Sequence, residues 1–348
     1  MMPSTTATPL VRVESLAVHF DRGRGKAPLR AVDGVSFDLL PGETLGVIGE
    51  SGSGKSTLAR AVVLLQRPSQ GRVWLAGQDA ATLAPEALRL ARRQVQIVFQ
   101  DPRAALNPRM RVRSLIGEPL LNQGIGNASS RRDTVMDLLE RVELGADFAE
   151  RYPHQLSGGQ RQRVNIARAL AVRPRVLVCD EVVAALDLSI QAGILNLFKD
   201  LQEQFGLTTL FITHDLGVTA YVSSRVAVMY LGVFVEMGSR DQVIDAPLHP
   251  YSRALLDAAP EPVPAAQRRL HAPLQGEIPS PVSPPSGCRF RTRCPIAVER
   301  CAAEVPAWRE LRPGQHVACH RAHEALDDAP QPVADAEPVA QPLQKALS

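Results

Sequence analysis

The chain has 348 residues, of which 45% are hydrophobic and 22% charged, a composition that is typical of folded domains and excludes disorder throughout. Its 39 basic and 36 acidic residues give a net charge of +3, which is too balanced to indicate a nucleic-acid partner. The longest apolar run, residues 226–235, is shorter than the roughly 18 residues of a membrane span. The first residues lack the pattern of a secretory signal, and the length predicts about two domains.

Short apolar segments typical of buried strands alternate along the chain with segments of helical periodicity. The predicted strands cover residues 44–49, 95–100, 175–180, 208–213 and 225–231. The predicted helices cover residues 55–65, 158–171 and 188–205. This alternation predicts an α/β fold with a largely parallel sheet.

Between the first of these strands and the first helix, Gly49–Ser56 matches the pattern G-x-x-x-x-G-K-[ST]. Glycines let backbone N–H groups approach phosphate oxygens, and the following helix N-terminus favours an anion. Lys55 is predicted to reach the β- and γ-phosphates of a nucleotide, and the Ser56 hydroxyl to bind Mg²⁺. The alternative is a chance glycine-rich turn, which the flanking strand and helix disfavour. The predicted nucleotide contacts are Gly49, Glu50, Ser51, Gly52, Ser53, Gly54, Lys55, Ser56 and Thr57.

A second motif, Leu156–Gln160, reads Leu-Ser-Gly-Gly-Gln and opens the second predicted helix. Taken alone, it is also compatible with a flexible loop before an amphipathic helix. Together with the phosphate-binding loop, it makes the sequence resemble the ATP-binding cassette (ABC) transporter ATPases. The resemblance implies a P-loop NTPase core, with a RecA-like subdomain joined by antiparallel β and α-helical subdomains. It also implies ATP contacts by four residues of this motif, namely Ser157, Gly158, Gly159 and Gln160.

The other motifs of this family follow in the expected order. An apolar strand ends in Asp180 and Glu181, which resemble the Walker B acids: Asp180 would hold Mg²⁺ and Glu181 would be the general base. Gln100 matches the Q-loop residue that contacts the metal and the transport partner, and His214 matches the switch histidine at the γ-phosphate. In isolation, an acidic pair or a histidine after a strand is more often structural.

Two further elements are assigned from the resemblance. Phe20 lies at the distance expected for the aromatic ring that stacks on adenine, although a Phe packed in the core is a real alternative. Residues 185–187 match the D-loop of the family. In the family two cassettes face head to tail, so that Ser157 and Gly159 would act on ATP held by the other subunit.

The sequence departs from the family pattern directly after the catalytic acids. The family usually has Pro after Glu181 and a hydroxyl residue before Ala-Leu-Asp, whereas this chain has Val182 and Ala184. Loss of Pro removes a fixed φ, and loss of the hydroxyl removes an interface hydrogen bond. The metal and base residues remain, so we expect the rate of hydrolysis to be affected rather than the binding of ATP.

Residues after about 245 differ in composition from those before. Seventeen of the 28 prolines and four of the five cysteines lie there. A His-Pro-Tyr element at 249–251 and a Gly-Cys-Arg-Phe element at 287–290 resemble the C-terminal extension of oligopeptide, dipeptide and nickel importer ATPases. We therefore predict an N-terminal tail (1–9), a nucleotide-binding domain (10–245), a small Cys/Pro-rich C-terminal module (246–322) and a disordered tail (323–348).

The late cysteines are Cys288, Cys294, Cys301 and Cys319, with spacing C-x5-C-x6-C-x17-C. This is neither a zinc-finger nor a ferredoxin spacing. From spacing alone, a metal site and four unrelated small core residues are therefore about equally well supported. Members of the resembling family can carry a 4Fe–4S cluster at corresponding cysteines, and that cluster is our expectation over zinc or reduced thiols. Three interleaved arginines would offset its charge, namely Arg289, Arg291 and Arg293.

The resemblance predicts the ATP-hydrolysing subunit of a peptide importer at the cytoplasmic face of the inner membrane. Its expected cofactors are Mg²⁺ and the iron–sulfur cluster. Its expected partners are a second, non-identical ABC ATPase, two membrane permeases and an extracytoplasmic binding protein, with no nucleic acid. The alternatives are a soluble ABC ATPase acting on DNA or ribosomes, an importer for nickel or another small solute, and a small-molecule kinase.

Overall fold

The computed structural model describes residues 8–184, 186–258 and 276–323. Most of residues 1–9 and 323–348, predicted to be tails, lie outside these ranges, as does Ala185 of the predicted D-loop. The described strands form two sheets. The smaller is antiparallel with the strand order β2-β1-β4-β5, and consists of β1 (Val11–Phe20), β2 (Leu29–Leu39), β4 (Gln70–Leu75) and β5 (Gln78–Asp79).

The larger sheet has eight strands in the order β11-β12-β10-β9-β3-β8-β7-β6. Five of them are parallel, and they are the five strands that the apolar runs predict: β3 (Thr44–Ile48), β6 (Val95–Val98), β7 (Val176–Asp180), β8 (Thr208–Ile212) and β9 (Arg225–Tyr230). Every residue of β3, β7 and β8 is buried, which explains why their sequences are predominantly apolar and do not alternate between apolar and polar residues.

Helices connect the parallel strands and cover the sheet. Those before the second motif are α1 (Lys55–Val62), α2 (Pro85–Gln94), α3 (Pro102–Ala105), α4 (Val112–Asn122) and α5 (Ala128–Arg141). Those after it are α6 (Gly158–Leu170), α7 (Leu188–Phe205), α8 (Leu216–Val222), α9 (Arg240–Ile244), α10 (Pro250–Asp257) and α11 (Glu299–Ala303). Short 3₁₀ turns lie at Ala80–Thr82, Ala146–Glu150 and Pro153–Gln155.

Buried hydrophobic residues within the described ranges form four clusters, and the two largest support these layers. α4, α5 and α6 pack on one another and share one core with α7 and with strands β6, β7 and β8, so a separate helical subdomain remains a prediction. The antiparallel sheet and α1 share a second core with the parallel strands, which fixes the loop between β3 and α1 against both sheets. None of the helices within the described ranges is long and apolar enough to cross a membrane.

The part of the chain after residue 245 contributes to the larger sheet. β10 (Val233–Ser239) pairs with β9 on one side and with β12 (Gln315–Val317) on the other, and β11 (Arg309–Arg312) pairs with β12. Glu236 lies opposite Val317 in this register. The C-terminal residues are therefore continuous with the core sheet, while the division of the chain into domains near residue 245 remains a prediction.

Candidate functional site

The predicted phosphate-binding loop lies between β3 and α1. Gly49 has φ 155° and Gly54 has φ 107°, and a Cβ on either would collide with a backbone carbonyl oxygen, of Met229 and Ala31 respectively. Only glycine fits both the conformation and the space at these positions. The packing of the loop on β2 and β9 therefore accounts for two of the glycines of the motif.

Lys55 is folded over the loop that precedes it. Its Nζ donates to the carbonyl oxygens of Gly49 at 2.7 Å and Glu50 at 2.9 Å, and to Ser53 Oγ at 3.3 Å. The residue is 4% exposed, and burial lowers the pKa of its ammonium, against the attraction of nearby carboxylates. The ammonium is thus held at the centre of the loop, as expected for a phosphate ligand.

Ser56 and Asp180 meet although they are far apart in the chain. Ser56 Oγ donates to Asp180 Oδ1 at 2.9 Å. Burial raises the pKa of the Asp180 carboxyl, and the hydrogen bond from Ser56 opposes that shift. A hydroxyl beside a carboxylate supplies the hard oxygen ligands that Mg²⁺ prefers, with phosphates and water completing its shell. The two residues therefore fit the predicted Mg²⁺ site.

The Glu181 carboxylate lies between the side chains of Gln100 and His214, which are also predicted site residues. Gln100 Nε2 donates to Glu181 Oε2 at 2.6 Å, and His214 Nδ1 lies 3.5 Å from Glu181 Oε1. Glu181 has φ 49°, a left-handed conformation that is uncommon outside glycine and costs about 1 kcal/mol or more. Its N–H donates to the carbonyl of Ile212 at 2.9 Å, which anchors the strained residue to β8.

These residues meet because each follows the carboxyl end of a parallel strand. The phosphate-binding loop follows β3, Gln100 follows β6, Asp180 ends β7 and His214 follows β8. In an open α/β sheet these ends form one edge, where ligands bind.

The second motif lies apart from this edge. Ser157 is the N-cap of α6, as its sequence position predicts, and forms a capping box with Gln160. Gly159 packs under α7, where an added Cβ would lie 2.6 Å from Ile190 Cγ2. Ser157 and Gly158 are exposed, and no described hydrogen bond joins this motif to the phosphate-binding loop. Within one chain, the two motifs are not brought together.

The remaining predictions concern single residues. Phe20 ends β1 and is 38% exposed, so its ring is not a core residue, and its contact with adenine stays a prediction. Val182, which replaces the expected Pro, is 4% exposed and packs in the helical core. Cys179 is fully buried, as expected for a small core residue.

The C-terminal residues contact the phosphate-binding loop, which sequence reasoning missed. Arg293 donates to both carboxylate oxygens of Glu50, at 2.6 and 3.0 Å, and the Glu50 N–H donates to Tyr251 Oη at 2.8 Å. Arg289 forms an ion pair with Asp33. Two of the three interleaved arginines, Arg289 and Arg293, thus pair with core carboxylates instead of offsetting a cluster. Their spacing between cysteines was the only signal in the sequence.

The four late cysteines line one cavity of about 10 Å³, together with His249 and Phe290. Burial raises the pKa of three of these thiols, Cys288, Cys294 and Cys319. The cavity has room for about one water molecule, which is too small for an iron–sulfur cube. In the described ranges no three or more His, Cys, Asp or Glu side chains are grouped to hold a metal ion. The expected 4Fe–4S cluster is therefore not supported.

Comparison with known families gives two matches, which are separated by residues 185–234. Residues 32–184 match the ABC transporter family. Residues 235–301 match the family described as the oligopeptide/dipeptide transporter C-terminal region. The first match spans the phosphate-binding loop and the Walker B acids, and the second begins within β10.

Individual relatives agree with these matches. A Brucella ovis protein named as a peptide import ATP-binding protein is 49% identical over 91% of this chain and 99% of its own length. The oligopeptide transport ATP-binding protein AppF of Bacillus subtilis is 49% identical over 84% of this chain and 89% of its own.

Solved structures share the fold. The ATP-binding cassette MJ0796, determined as a dimer bound to ADP and Pi, has a TM-score of 0.60 at 30% identity and covers 66% of this chain and 98% of its own. The cbiO1 protein of Clostridium perfringens, from an ABC transporter complex, has a TM-score of 0.60 at 28% identity. The match covers 68% of this chain and 90% of cbiO1. The chain therefore belongs to the ABC transporter family, in the group of ATP-binding proteins that carry the oligopeptide/dipeptide transporter C-terminal region.

Proposed function

We propose that this chain is the ATP-hydrolysing subunit that powers a peptide importer from the cytoplasmic face of the inner membrane. The observation that carries the ATPase function is the meeting of Lys55, Ser56, Asp180 and Glu181 at one edge of the parallel sheet. The peptide class rests on the match to the oligopeptide/dipeptide C-terminal region and on the relatives named for peptide import.

In this proposal the loop residues bind the triphosphate. The Lys55 ammonium exchanges its contacts with loop carbonyls for β- and γ-phosphate oxygens, and the N–H groups at the start of α1 donate to the same anion. Mg²⁺, held through Ser56 and Asp180, would neutralise charge on the phosphates. The buried position of Lys55 strengthens its attraction to the phosphates, because burial lowers the local dielectric.

Glu181 is the residue that we assign as general base. Its carboxylate accepts a hydrogen bond from Gln100 and faces His214, so both neighbours hold it in place to take a proton from the attacking water. His214 is the residue assigned to the γ-phosphate. The buried Val182 after the base leaves the backbone at this turn without the fixed φ of proline, and we propose that it slows hydrolysis without affecting binding.

The exposed N-terminus of α6 serves a second ATPase subunit in this proposal. Ser157 and Gly158 are exposed on the surface, where the Ser157 hydroxyl and the Gly158 N–H face outward toward a nucleotide held by a facing subunit, whereas the Ser157 N–H is bonded to Gln160. That subunit is a non-identical paralogue of this chain, and ATP closes the pair. Two permease subunits and an extracytoplasmic binding protein complete the importer.

For the four late cysteines we propose a structural role as reduced thiols. The support is their packing around a cavity of about 10 Å³ and the raised pKa of three of them, which keeps those three protonated near neutral pH.

The test is peptide uptake by proteoliposomes that contain this chain with its ATPase and permease partners, with the binding protein supplied on the opposite side of the membrane. Wild-type vesicles are expected to take up a labelled peptide only when MgATP is supplied on the side of this chain. Glu181→Gln is expected to bind ATP normally but to lower hydrolysis at this site by about 10²-fold or more, because the general base is lost. The matched control is Glu140→Gln, which changes an exposed carboxylate on α5.

Two results would contradict the proposal. Near-normal hydrolysis by Glu181→Gln would show that Glu181 is not the general base. Uptake of nickel without uptake of peptides would reject the substrate class while leaving the ATPase function intact.

A further inference from the structure

Glu50, the second residue of the phosphate-binding loop, is held at both its backbone and its side chain by residues from beyond the sheet core. Tyr251 Oη accepts its N–H at 2.8 Å, and Arg293 binds its carboxylate through two hydrogen bonds of 2.6 and 3.0 Å. The Arg293 side chain is 5% exposed and that of Glu50 is 24% exposed. A two-point arginine–carboxylate contact fixes orientation as well as distance.

The two residues that hold Glu50 are themselves held rigidly. The Tyr251 ring packs against those of Tyr230 and Phe290, with centroid distances of 4.7 and 5.3 Å, and the latter two rings also contact each other at 5.3 Å. The Arg293 guanidinium lies 5.9 Å from the centre of the Tyr230 ring, and the backbone N–H of Arg293 donates to the carbonyl of Phe290 at 3.0 Å. These aromatic side chains are almost completely buried.

The contact reaches the residue that binds phosphate. The carbonyl oxygen of Glu50 accepts a hydrogen bond from Lys55 Nζ at 2.9 Å. The Glu50 peptide therefore holds Lys55 in the nucleotide-free loop, and it continues to set the course of the loop backbone after the ammonium moves to the phosphates. A shift of this peptide would change the direction in which the loop presents its N–H groups and its lysine.

We propose that Arg293 is a positioning residue for ATP binding, which acts through Glu50 to hold the phosphate-binding loop in its binding conformation. The C-terminal residues would in this way control nucleotide affinity as well as complete the sheet. This inference rests on the proposed ATPase function.

The experiment measures the affinity of the full-length chain for MgATP by titration calorimetry. Arg293→Ala is expected to weaken binding about tenfold, within the range typical of coupling between linked sites. Glu50→Ala should weaken it to a similar degree, and the double variant should be no weaker than either single one, because both changes remove the same contact. Arg293→Lys keeps the charge and one hydrogen bond, and should restore part of the affinity.

The matched control is Arg291→Ala, two positions away, because within the described residues the Arg291 side chain hydrogen-bonds to Ser286 and not to the loop. The fluorescence emission of Trp308 reports whether the C-terminal residues stay packed on the core. It is measured in a Trp74→Phe background, which leaves Trp308 as the single tryptophan. The emission should be unchanged in Arg293→Ala.

An affinity of Arg293→Ala equal to that of Arg291→Ala would overturn the inference, as would additive losses in the double variant. A shifted Trp308 emission, with no rescue by Arg293→Lys, would assign Arg293 to attachment of the segment and overturn the positioning role. If the wild-type chain itself fails to bind MgATP, the proposed ATPase function is wrong, so the two failures are distinguishable.

Discussion

Acidification is expected to destabilise this chain through His249, the N-cap residue of α10. The imidazole is 1% exposed, and its Nδ1 accepts the N–H of Tyr251 at 3.0 Å. Protonation would place a charge in a buried site and replace the acceptor with a donor that faces another donor. Burial accordingly lowers the pKa of His249 to about 3.

The size of the effect follows from the difference in pKa between the folded and unfolded states. The unfolded chain binds a proton on this histidine below pH of about 6.5, whereas the folded chain does so only near pH 3. The contribution is therefore fully present above pH 6.5 and is lost as the pH falls toward 3. At pH 5 the loss is about 2 kcal/mol of the free energy of unfolding, from roughly 1.5 pH units at about 1.4 kcal/mol each.

The assay is urea unfolding under reducing conditions at several values between pH 7.5 and pH 5. His249→Asn is the matched variant, because Asn retains an N-cap acceptor but does not titrate. Glu236 accepts the N–H of His249 at 2.9 Å, and burial raises its pKa, so it changes stability with pH in the opposite sense in both proteins. The wild type should lose about 2 kcal/mol more than the variant. Equal losses would refute the reasoning.

Two further predictions concern the signature motif and the cysteines. Gly159→Ala should cost about 1–3 kcal/mol in urea unfolding, because its Cβ would lie 2.6 Å from Ile190 Cγ2, whereas Gly158→Ala, with 3.6 Å to its nearest neighbour, should be close to neutral; equal costs would contradict this packing. Anaerobically purified protein should contain no iron or acid-labile sulfide. Stoichiometric iron with a brown absorbance that Cys294→Ser removes and Cys179→Ala retains would contradict the assignment of the cysteines as reduced thiols.

The parallel part of the sheet was predictable because strands that are buried on both faces have predominantly apolar sequences. All five apolar runs are strands of the larger sheet, and their order with the helices indicated parallel pairing. β12 has only three residues and lacks an apolar run. It forms a strand because its backbone pairs with the outer edge of β10. Pairing between segments about 80 residues apart depends on tertiary structure rather than on local pattern.

The same distinction applies to the site. Gln100, Glu181 and His214 could be placed together because each directly follows a strand, so local reading and sheet topology sufficed. The contact of Arg293 with Glu50 joins residues 243 positions apart and crosses from the C-terminal residues to the loop. The arginines could be identified in the sequence, but their partners could not, because the sequence around a charged side chain does not indicate which distant carboxylate it contacts.

The pairing of β12 with β10 has a consequence for the growing chain on the ribosome. β10 ends at Ser239 and its outer partner begins at Gln315, so the backbone groups along its outer edge wait for about 75 residues of further synthesis. At about 5–20 residues per second this takes roughly 4 to 15 s. During that interval a nearly finished cassette presents an unpaired strand that another nascent chain could join. Release of the chain before residue 315 would make this temporary exposure permanent.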